Sequence, residues 1–447
     1  MKAFSLKLTY PKIISLGFCL LILLGAFLLS LPISSRSGQF TPFLTSLFTA
    51  TSATCVTGLV MVDTYTHWSV FGQTVIIVLI QIGGIGFMTL MTAISLVLNR
   101  QITLKERTLL KDSFNTSDIS GMVRLTKHIV AGTVIIELLG SILLATRFIP
   151  LLGLSQGLYT AVFMSISAFC NAGFDILGGF GQYSSLVSFS DDALIILTLS
   201  MLILIGGIGF IVWDDIVKNK WHLKRYRLHS KIVLFFTTIL TIGGTVLFFI
   251  FERDATNYGL PLHHQLLNSF FSSVTPRTAG FNSVDVAALT GVSKMLTILY
   301  MFIGGSPGST AGGVKTVTIA VMLICLISNL RNKSGYNVFR RRLPLNVVIN
   351  ALCVIVIHLT LSLSGTLLIC AVQPELAVGD VVFECFSAMG TVGMSTGITR
   401  DLTVLPQIVL ILLMFSGRIG SLSFAMIFTE KKQKDVLLFP EEKVNVG

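Results

Sequence analysis

Six stretches of this chain run for twenty or more residues without an Asp, Glu, Lys or Arg: Ile13–Ser35, Ser69–Asn99, Ala193–Trp213, Ile232–Phe251, Met295–Val314 and Leu343–Pro374. Two more, His128–Thr146 and Leu402–Thr429, carry one charge each, Glu137 and Arg418. A helix of about 20 apolar residues crosses the hydrocarbon core of a bilayer. The chain therefore reads as a membrane protein with eight spans, which puts both termini on one side. Of the 32 Lys and Arg, 24 fall in the N-terminus, Asn99–Lys127, Lys218–Lys231, Arg331–Arg342 and the C-terminal tail. That bias places both termini in the cytoplasm. Cationic loops beside membrane lipid headgroups explain the net charge of +11 without a nucleic-acid partner. Ile13–Ser35 is expected to be a retained helix, since it is long for a signal peptide and lacks a small-x-small cleavage site. The seven cysteines are dispersed, with no Cys-x-x-Cys pair, which argues against a disulfide framework or a zinc site.

A second pattern is laid over the first. Gly58, Gly173, Gly280 and Gly393 are separated by 115, 107 and 113 residues, each in a short polar segment between apolar runs. A short semi-polar helix precedes each, at about Thr41–Ala53, Ser155–Phe169, Pro261–Val274 and Ala377–Met389. These helices are too short to span, and a chain that dips in and returns is tolerated where its backbone lines water or is buried in protein. The expected fold is an all-α membrane protein of four tandem helix–pore loop–helix repeats around a single pseudo-fourfold pore. The repeats divide as 11–98, 99–217, 218–330 and 331–429, with a cytoplasmic tail over 430–447.

Four short backbone loops facing one axis make a cation site from carbonyl oxygens. Glycine permits the backbone angles that aim those oxygens inward without blocking the path. The expected donors are Val56, Thr57 and Gly58; Asn171, Ala172 and Gly173; Thr278, Ala279 and Gly280; and Thr391, Val392 and Gly393. The loops read as a site for a cation, and no bound cofactor is implied. Asp63, Asp175 and Asp285 follow their glycines closely. They either concentrate cations at the outer mouth or cap helices and pair with Arg277. Glu384 reads as structural, and His358 is assigned no role.

The second helix of each repeat also carries a glycine cluster. Ile82-Gly-Gly-Ile-Gly86 matches Ile205-Gly-Gly-Ile-Gly209, and Ser416-Gly-Arg-Ile-Gly420 falls at the same place. In repeats one and two these glycines read as close helix packing. Repeat three differs: Gly304, Gly305, Ser306, Pro307, Gly308, Ser309, Thr310, Ala311, Gly312 and Gly313, followed by Val314 and Lys315, cannot hold a regular helix. A break in the helix is expected there alone. The run is not a Walker loop, because Val314 separates Gly313 from Lys315. Lys315 either holds the loop in place or reaches toward the cytoplasm. Arg418 stands where the other repeats have Gly84, Gly207 and Gly305. It is either an electrostatic barrier below a cation filter or a structural salt-bridge partner, for example of Glu137. No nucleotide fold, protease motif or catalytic triad spacing is present, so the chain does not read as an enzyme.

Four helix–loop–helix units, four single glycines and the Gly-rich break resemble the Trk/Ktr/HKT potassium transporters, and the Ktr-type membrane subunit most of all. The resemblance covers essentially the whole chain. It implies that Gly58, Gly173, Gly280 and Gly393 are selectivity-filter glycines, that Gly304–Thr316 is an intramembrane gating loop, and that Arg418 is the family's arginine of the last helix. In plant relatives a serine at the first filter position goes with sodium preference, and Gly58 there favours potassium. The resemblance further implies a homodimer whose subunits each keep their own pore, and a cytosolic ring of nucleotide-binding regulatory subunits. The basic loops Arg100–Lys111, Lys218–Lys231 and Arg331–Arg342 are expected to face that ring. A sodium-selective or sodium-coupled transporter of the same fold is the first alternative. A non-conducting membrane scaffold or sensor is the second.

Overall fold

The computed structural model describes residues 10–86, 122–220, 222–333 and 335–420. Four long helices stand out: α1 (Tyr10–Ser30), α4 (Met122–Leu152), α8 (Leu228–Glu252) and α12 (Leu345–Val372). Each is long and apolar enough to cross a bilayer unaided. Each is followed by a short helix that packs back against it: α2 (Phe43–Thr54), α5 (Leu154–Phe169), α9 (Leu262–Val274) and α13 (Val378–Gly390). These lie within two residues of the expected pore helices. Pro42 and Pro261 open two of them, because proline stands extended before a helix and its missing N–H costs nothing there.

The second helices are shorter: α3 (Val70–Ile85), α6 (Ala193–Gly207), α10 (Gly291–Phe302) and α14 (Val404–Ile419). Side chains cap three of their N-termini. Ser69 accepts from Gly72 N–H, Asp192 from Leu194 and Ile195, and Thr290 from Ser293. Small residues let these helices touch the ends of the pore helices. A Cβ on Gly83, Gly206 or Gly417 would run into the carbonyl of Thr54, Phe169 or Met389 respectively. The packing role expected for the glycines of repeats one and two is therefore real.

The expectation of a break in repeat three alone is wrong. In repeat two, α6 is followed by α7 (Phe210–Asn219) across a bend of 95°. The turn is made at Gly209, with φ +96°. In repeats one and four the helices end at Gly86 and Gly420, with φ +91° and +94°. A left-handed backbone terminates a right-handed helix, and glycine adopts it without a Cβ clash. Each glycine cluster thus serves two purposes that sequence alone did not separate. The first of each cluster permits close packing, and the one three residues later stops the helix.

In repeat three the interruption opens into a loop between α10 and α11 (Thr316–Leu330). After α11 comes a hairpin of β1 (Asn337–Val338) and β2 (Arg341–Arg342). Among the described residues, four single helices and the bent α6–α7 pair can span a bilayer, because the other second helices are cut short. The rest of Ser69–Asn99 and Leu402–Thr429, the loop Arg100–Lys111 and the tail lie outside the described residues.

The apolar core follows the order of the repeats. One cluster joins repeats one and two and reaches Phe271 and Phe281 of repeat three. Met301 of repeat three shares a second with Phe383 and Val392 of repeat four. A third joins Ile22, Phe48 and Leu59 of repeat one to Val381, Leu410 and Met414 of repeat four. The first and last repeats pack on each other, and the arrangement closes.

Candidate functional site

The four glycine segments meet at one place. A Cβ on Gly58 would strike the carbonyl of Ala172 and the backbone of Gly173. One on Gly173 would strike Ala279 and Gly280, one on Gly280 would strike Val392 and Gly393, and one on Gly393 would strike Thr57 and Gly58. Each glycine faces the next in chain order, and the fourth faces the first. No side chain fits inside that ring.

The backbone of each segment alternates in handedness. Gly58, Gly173, Gly280 and Gly393 have φ of +95°, +68°, +83° and +92°. Two residues earlier, Val56, Asn171, Thr278 and Thr391 have φ of +58°, +59°, +80° and +51°. The residues between, Thr57, Ala172, Ala279 and Val392, do not. Alternating handedness turns successive carbonyls toward the same side. Three of the four non-glycine positions hold a β-branched residue, for which a left-handed backbone is an outlier. Such strain persists only where its surroundings over-determine it, and it concentrates at functional sites. The sequence shows the glycines, while the second left-handed residue leaves no mark in it.

A hydroxyl braces every segment. Ser52 Oγ accepts from Gly58 N–H at 3.0 Å, and Ser387 Oγ accepts from Gly393 N–H at 3.1 Å. Ser167 Oγ donates to Phe174 O and Thr275 Oγ1 to Phe281 O, both at 2.6 Å. The hydroxyl stands six residues before the glycine in three repeats and five before it in repeat three. That regularity was visible in the sequence and was missed. Asn171 binds with its amide nitrogen toward Ala168 O and Ile203 O, at 3.1 and 3.2 Å. Its carbonyl oxygen then faces the Thr278 hydroxyl.

An open cavity of about 100 Å³ lies against all four glycines. Asp63 and Asp175 line it, and Asp285 does not. Asp63 accepts from the N–H groups of Tyr65 and Thr66 with one oxygen and from Tyr183 with the other. Asp175 accepts from Leu177 N–H at 3.0 Å, and Asp285 from Ala287 N–H at 3.0 Å. The helix-capping reading thus holds for Asp63, which opens the short helix Thr64–His67, while Asp175 and Asp285 close Asx turns; the outer-mouth reading stays open for Asp63 and Asp175 only. Burial pushes Asp175 up to about 6, Leu177 N–H pulls it back, and the charge of Asp63 pushes it up further. None of the three pairs with Arg277. That residue is buried behind its own segment, with its guanidinium donating to Thr241 Oγ1 at 3.2 Å, so it is not an outer-loop charge. The long loop of repeat two folds over the cavity. Leu186 N–H donates to Asn282 O at 2.9 Å, and Arg400 stacks over Tyr183 at 4.3 Å. Glu384 is structural, accepting from Ser395 and, at 2.8 Å, from Thr399.

On the other side of the ring lies the Gly-rich loop. Its ends are sewn together: Gly304 N–H donates to Val314 O at 2.9 Å, and Thr316 N–H to Gly305 O at 3.0 Å. Its body is tied to repeat two, with Ser306 N–H on Gly207 O at 2.9 Å and Phe210 N–H on Gly308 O at 2.7 Å. A Cβ on Gly312 would strike the Thr391 hydroxyl, directly beneath the ring. Lys315 Nζ donates back to Ala311 O at 2.7 Å, so it holds the loop.

Arg418 does not pair with Glu137, whose carboxylate accepts instead from Gln81 at 3.0 and 3.1 Å. Its guanidinium donates to Thr310 O of the loop and to Gly83 O and Gly84 O of α3. A planar fork with five N–H groups suits several carbonyls at once. Repeats three, four and one are fastened together through that single side chain.

A model of the TrkH family, described as cation transport protein, matches residues 18–437. The chain belongs to the TrkH family. It is 39% identical over 443 residues to the Ktr system potassium uptake protein B of Bacillus subtilis, covering 99% of this chain and 97% of that protein. It is 38% identical over 451 residues to the potassium/sodium uptake protein NtpJ of Enterococcus hirae, covering 99% of this chain and 98% of that protein. The crystal structure of the potassium transporter TrkH from Vibrio parahaemolyticus has the same fold. Its TM-score is 0.73 at 18% identity, covering 96% of this chain and 87% of that one. A TrkH-family chain with these helices is a multi-pass membrane protein and a transport protein, not an enzyme.

Proposed function

We propose that this TrkH-family chain is the pore-forming subunit of a potassium uptake system in the cytoplasmic membrane, with both termini in the cytoplasm. The observation that carries this reading is the closed contact of Gly58, Gly173, Gly280 and Gly393, each preceded by a second left-handed residue. Carbonyls held that way replace the hydration shell of a monovalent cation without adding formal charge, so the ion binds weakly enough to leave. The four strips differ in sequence, which favours few well-ordered sites and modest selectivity. Gly304–Lys315 acts as the gate, pinned under the ring by Arg418. Membrane potential drives uptake, at roughly 2.3 kcal/mol per charge per 100 mV.

The chain works as a homodimer with one pore per subunit, under a cytosolic nucleotide-binding ring, as expected of Ktr-type systems. The test is potassium-dependent growth of a potassium-uptake-deficient bacterium carrying this chain, with and without the ring subunit. Failure to restore growth or rubidium uptake, with the protein present in the membrane, overturns the reading. Sodium transport by the same ring is the second reading, favoured by the potassium/sodium name of the Enterococcus hirae relative. Competition between the two ions in the same assay separates them.

A further inference from the structure

The short hairpin between α11 and α12 plays no part in the pore. Its two-residue turn is Phe339–Arg340, with φ of +45° and +61°. Two-residue hairpin turns with both centres left-handed are normally Asn-Gly or Asp-Gly, because other residues strain there. A phenylalanine and an arginine in these places hold the turn at a cost, and strain of this kind marks a functional constraint.

The hairpin is fixed. Val338 and Leu343 pack with Val321 and Val348, and Leu343 N–H donates to Tyr336 O at 2.8 Å. What it presents outward is Phe339, Arg340, Arg341 and Arg342, all exposed. Arg331 and Lys333 stand just before it, and residues 331–342 contain no Asp or Glu. On the chain preceding α8, Asp214 is occupied by Lys218, and Asp215 by Arg227 and Ser230. Neither acid is free to neutralise the arginines.

The position of Phe339 decides between two kinds of partner. Its ring lies 6.1 Å from that of Phe235. Phe235 begins a stripe on α8 with Ile239, Ile242 and Val246, each roughly half exposed. In a membrane protein such a stripe faces acyl chains. Phe235 sits seven residues into α8, about 10 Å along its axis. Lys231 lies one turn earlier on the same face. The hairpin tip therefore curls onto a lipid-facing surface near the end of a spanning helix, where a cytosolic protein would not reach the phenyl ring.

We infer that this hairpin is a binding site for anionic phospholipid, with Phe339 seated among acyl chains and Arg340, Arg341 and Arg342 on the headgroup phosphate. Arginine forks match phosphate in two-point contact. Basic segments beside a bilayer draw in anionic lipid through charge attraction.

The test uses the full chain carrying Phe339→Trp, purified and placed in nanodiscs. The bilayers contain either brominated phosphatidylglycerol or brominated phosphatidylcholine at equal mole fraction. Both faces of a nanodisc carry the same lipid, so the result does not depend on which side of the protein is cytoplasmic or on what it transports. Quenching of the three native tryptophans, measured on the unaltered chain, is subtracted. The new indole should be quenched in both bilayers, and about twofold or more strongly by the anionic lipid. Arg340→Gln, Arg341→Gln and Arg342→Gln together should abolish that excess and keep the common part. Raised salt should shrink the excess in the arginine-containing protein, a check that needs no further variant. Equal quenching by the two lipids overturns the headgroup site. Absence of quenching in both places the hairpin outside the bilayer, overturns the proposal and makes the arginines a surface for a cytosolic partner.

Discussion

The glycine ring and the second helices beneath it are built from the same four repeats and have diverged very differently. In the ring the repeats follow one plan: a left-handed residue, one between, a left-handed glycine, and a hydroxyl bracing the turn. Beneath it the second helices are interrupted at corresponding glycines in repeats one, two and four and just before the glycines in repeat three, and each repeat then differs. Repeat three inserts a loop, repeat four supplies Arg418, and repeats one and two supply carbonyl acceptors. On the function proposed above, symmetry is kept where every repeat offers the same oxygens to one ion, and it is abandoned where one loop and one charge suffice for a gate that four copies would crowd.

The largest effect should come from breaking the symmetric part. Serine at Gly58, Gly173, Gly280 or Gly393 would drive a Cβ into the neighbouring segment from a left-handed backbone. Each of the four should lower potassium uptake by about tenfold or more, a loss worth some 1.4 kcal/mol, or lose discrimination against sodium. Because the contacts run in a cycle, all four should suffer comparably. Rubidium uptake with sodium competition reads this out. Wild-type affinity and selectivity in all four serine variants would dispose of the filter.

Breaking the asymmetric part should act in the opposite direction. Deleting Gly305–Gly312 removes the segment seated under Thr391 and the acceptor of Arg418 at Thr310. Flux through folded protein should rise several-fold and lose its dependence on the cytosolic subunit. A deletion variant that inserts normally and still shows regulated, unchanged flux takes the loop out of the mechanism.

The same contrast explains what could be read from the sequence. Spacing located the pore helices to within two residues, since a short semi-polar run followed by a lone glycine has few other uses between long apolar spans. The helix breaks in repeats one, two and four were hidden. Gly86, Gly209 and Gly420 sit in clusters that close packing explains equally well, and apolar sequence continues past them. Arg277 was offered as a partner of the outer aspartates because nothing in T-P-R-T-A-G tells a buried guanidinium from an exposed one. Its partner, Thr241, is 36 residues away. The carbonyl partners of Arg418 were also out of reach, because backbone acceptors carry no sequence signature.

Arg418→Gln sharpens the comparison within the asymmetric part. The guanidinium holds Thr310 O and the carbonyls of Gly83 and Gly84 at once, and it brings a positive charge under a cation path. Glutamine keeps one amide donor and removes both the charge and the bridge. The maximal rate per folded subunit should rise several-fold, by less than in the loop deletion, because the loop keeps its ties to Gly207 and Phe210. Apparent affinity, set at the ring, should stay nearly constant. A reduced rate per folded subunit would mean that Arg418 supports the open state instead.

The smallest expected effect lies on the outer side, where Asp175 and Asp63 face the cavity over the ring. Asp63 accepts from three backbone N–H groups, whereas Asp175 accepts from Leu177 N–H and the Ser185 hydroxyl. Burial, opposed by those hydrogen bonds and reinforced by Asp63, raises Asp175 to about 6. Above that value the carboxylate is ionised and concentrates cations at the mouth. Below it the group is neutral and the attraction is lost. The apparent KM for potassium should therefore rise as the outer pH falls from about 7 to about 5, by a factor on the order of two, with the maximal rate unchanged. Asp175→Asn should show the higher KM at every pH and a flat profile. The ring is untouched in that variant, so selectivity should stay as in the unaltered protein. A pH profile that survives Asp175→Asn would assign the titration to another group and leave Asp175 as a turn residue alone.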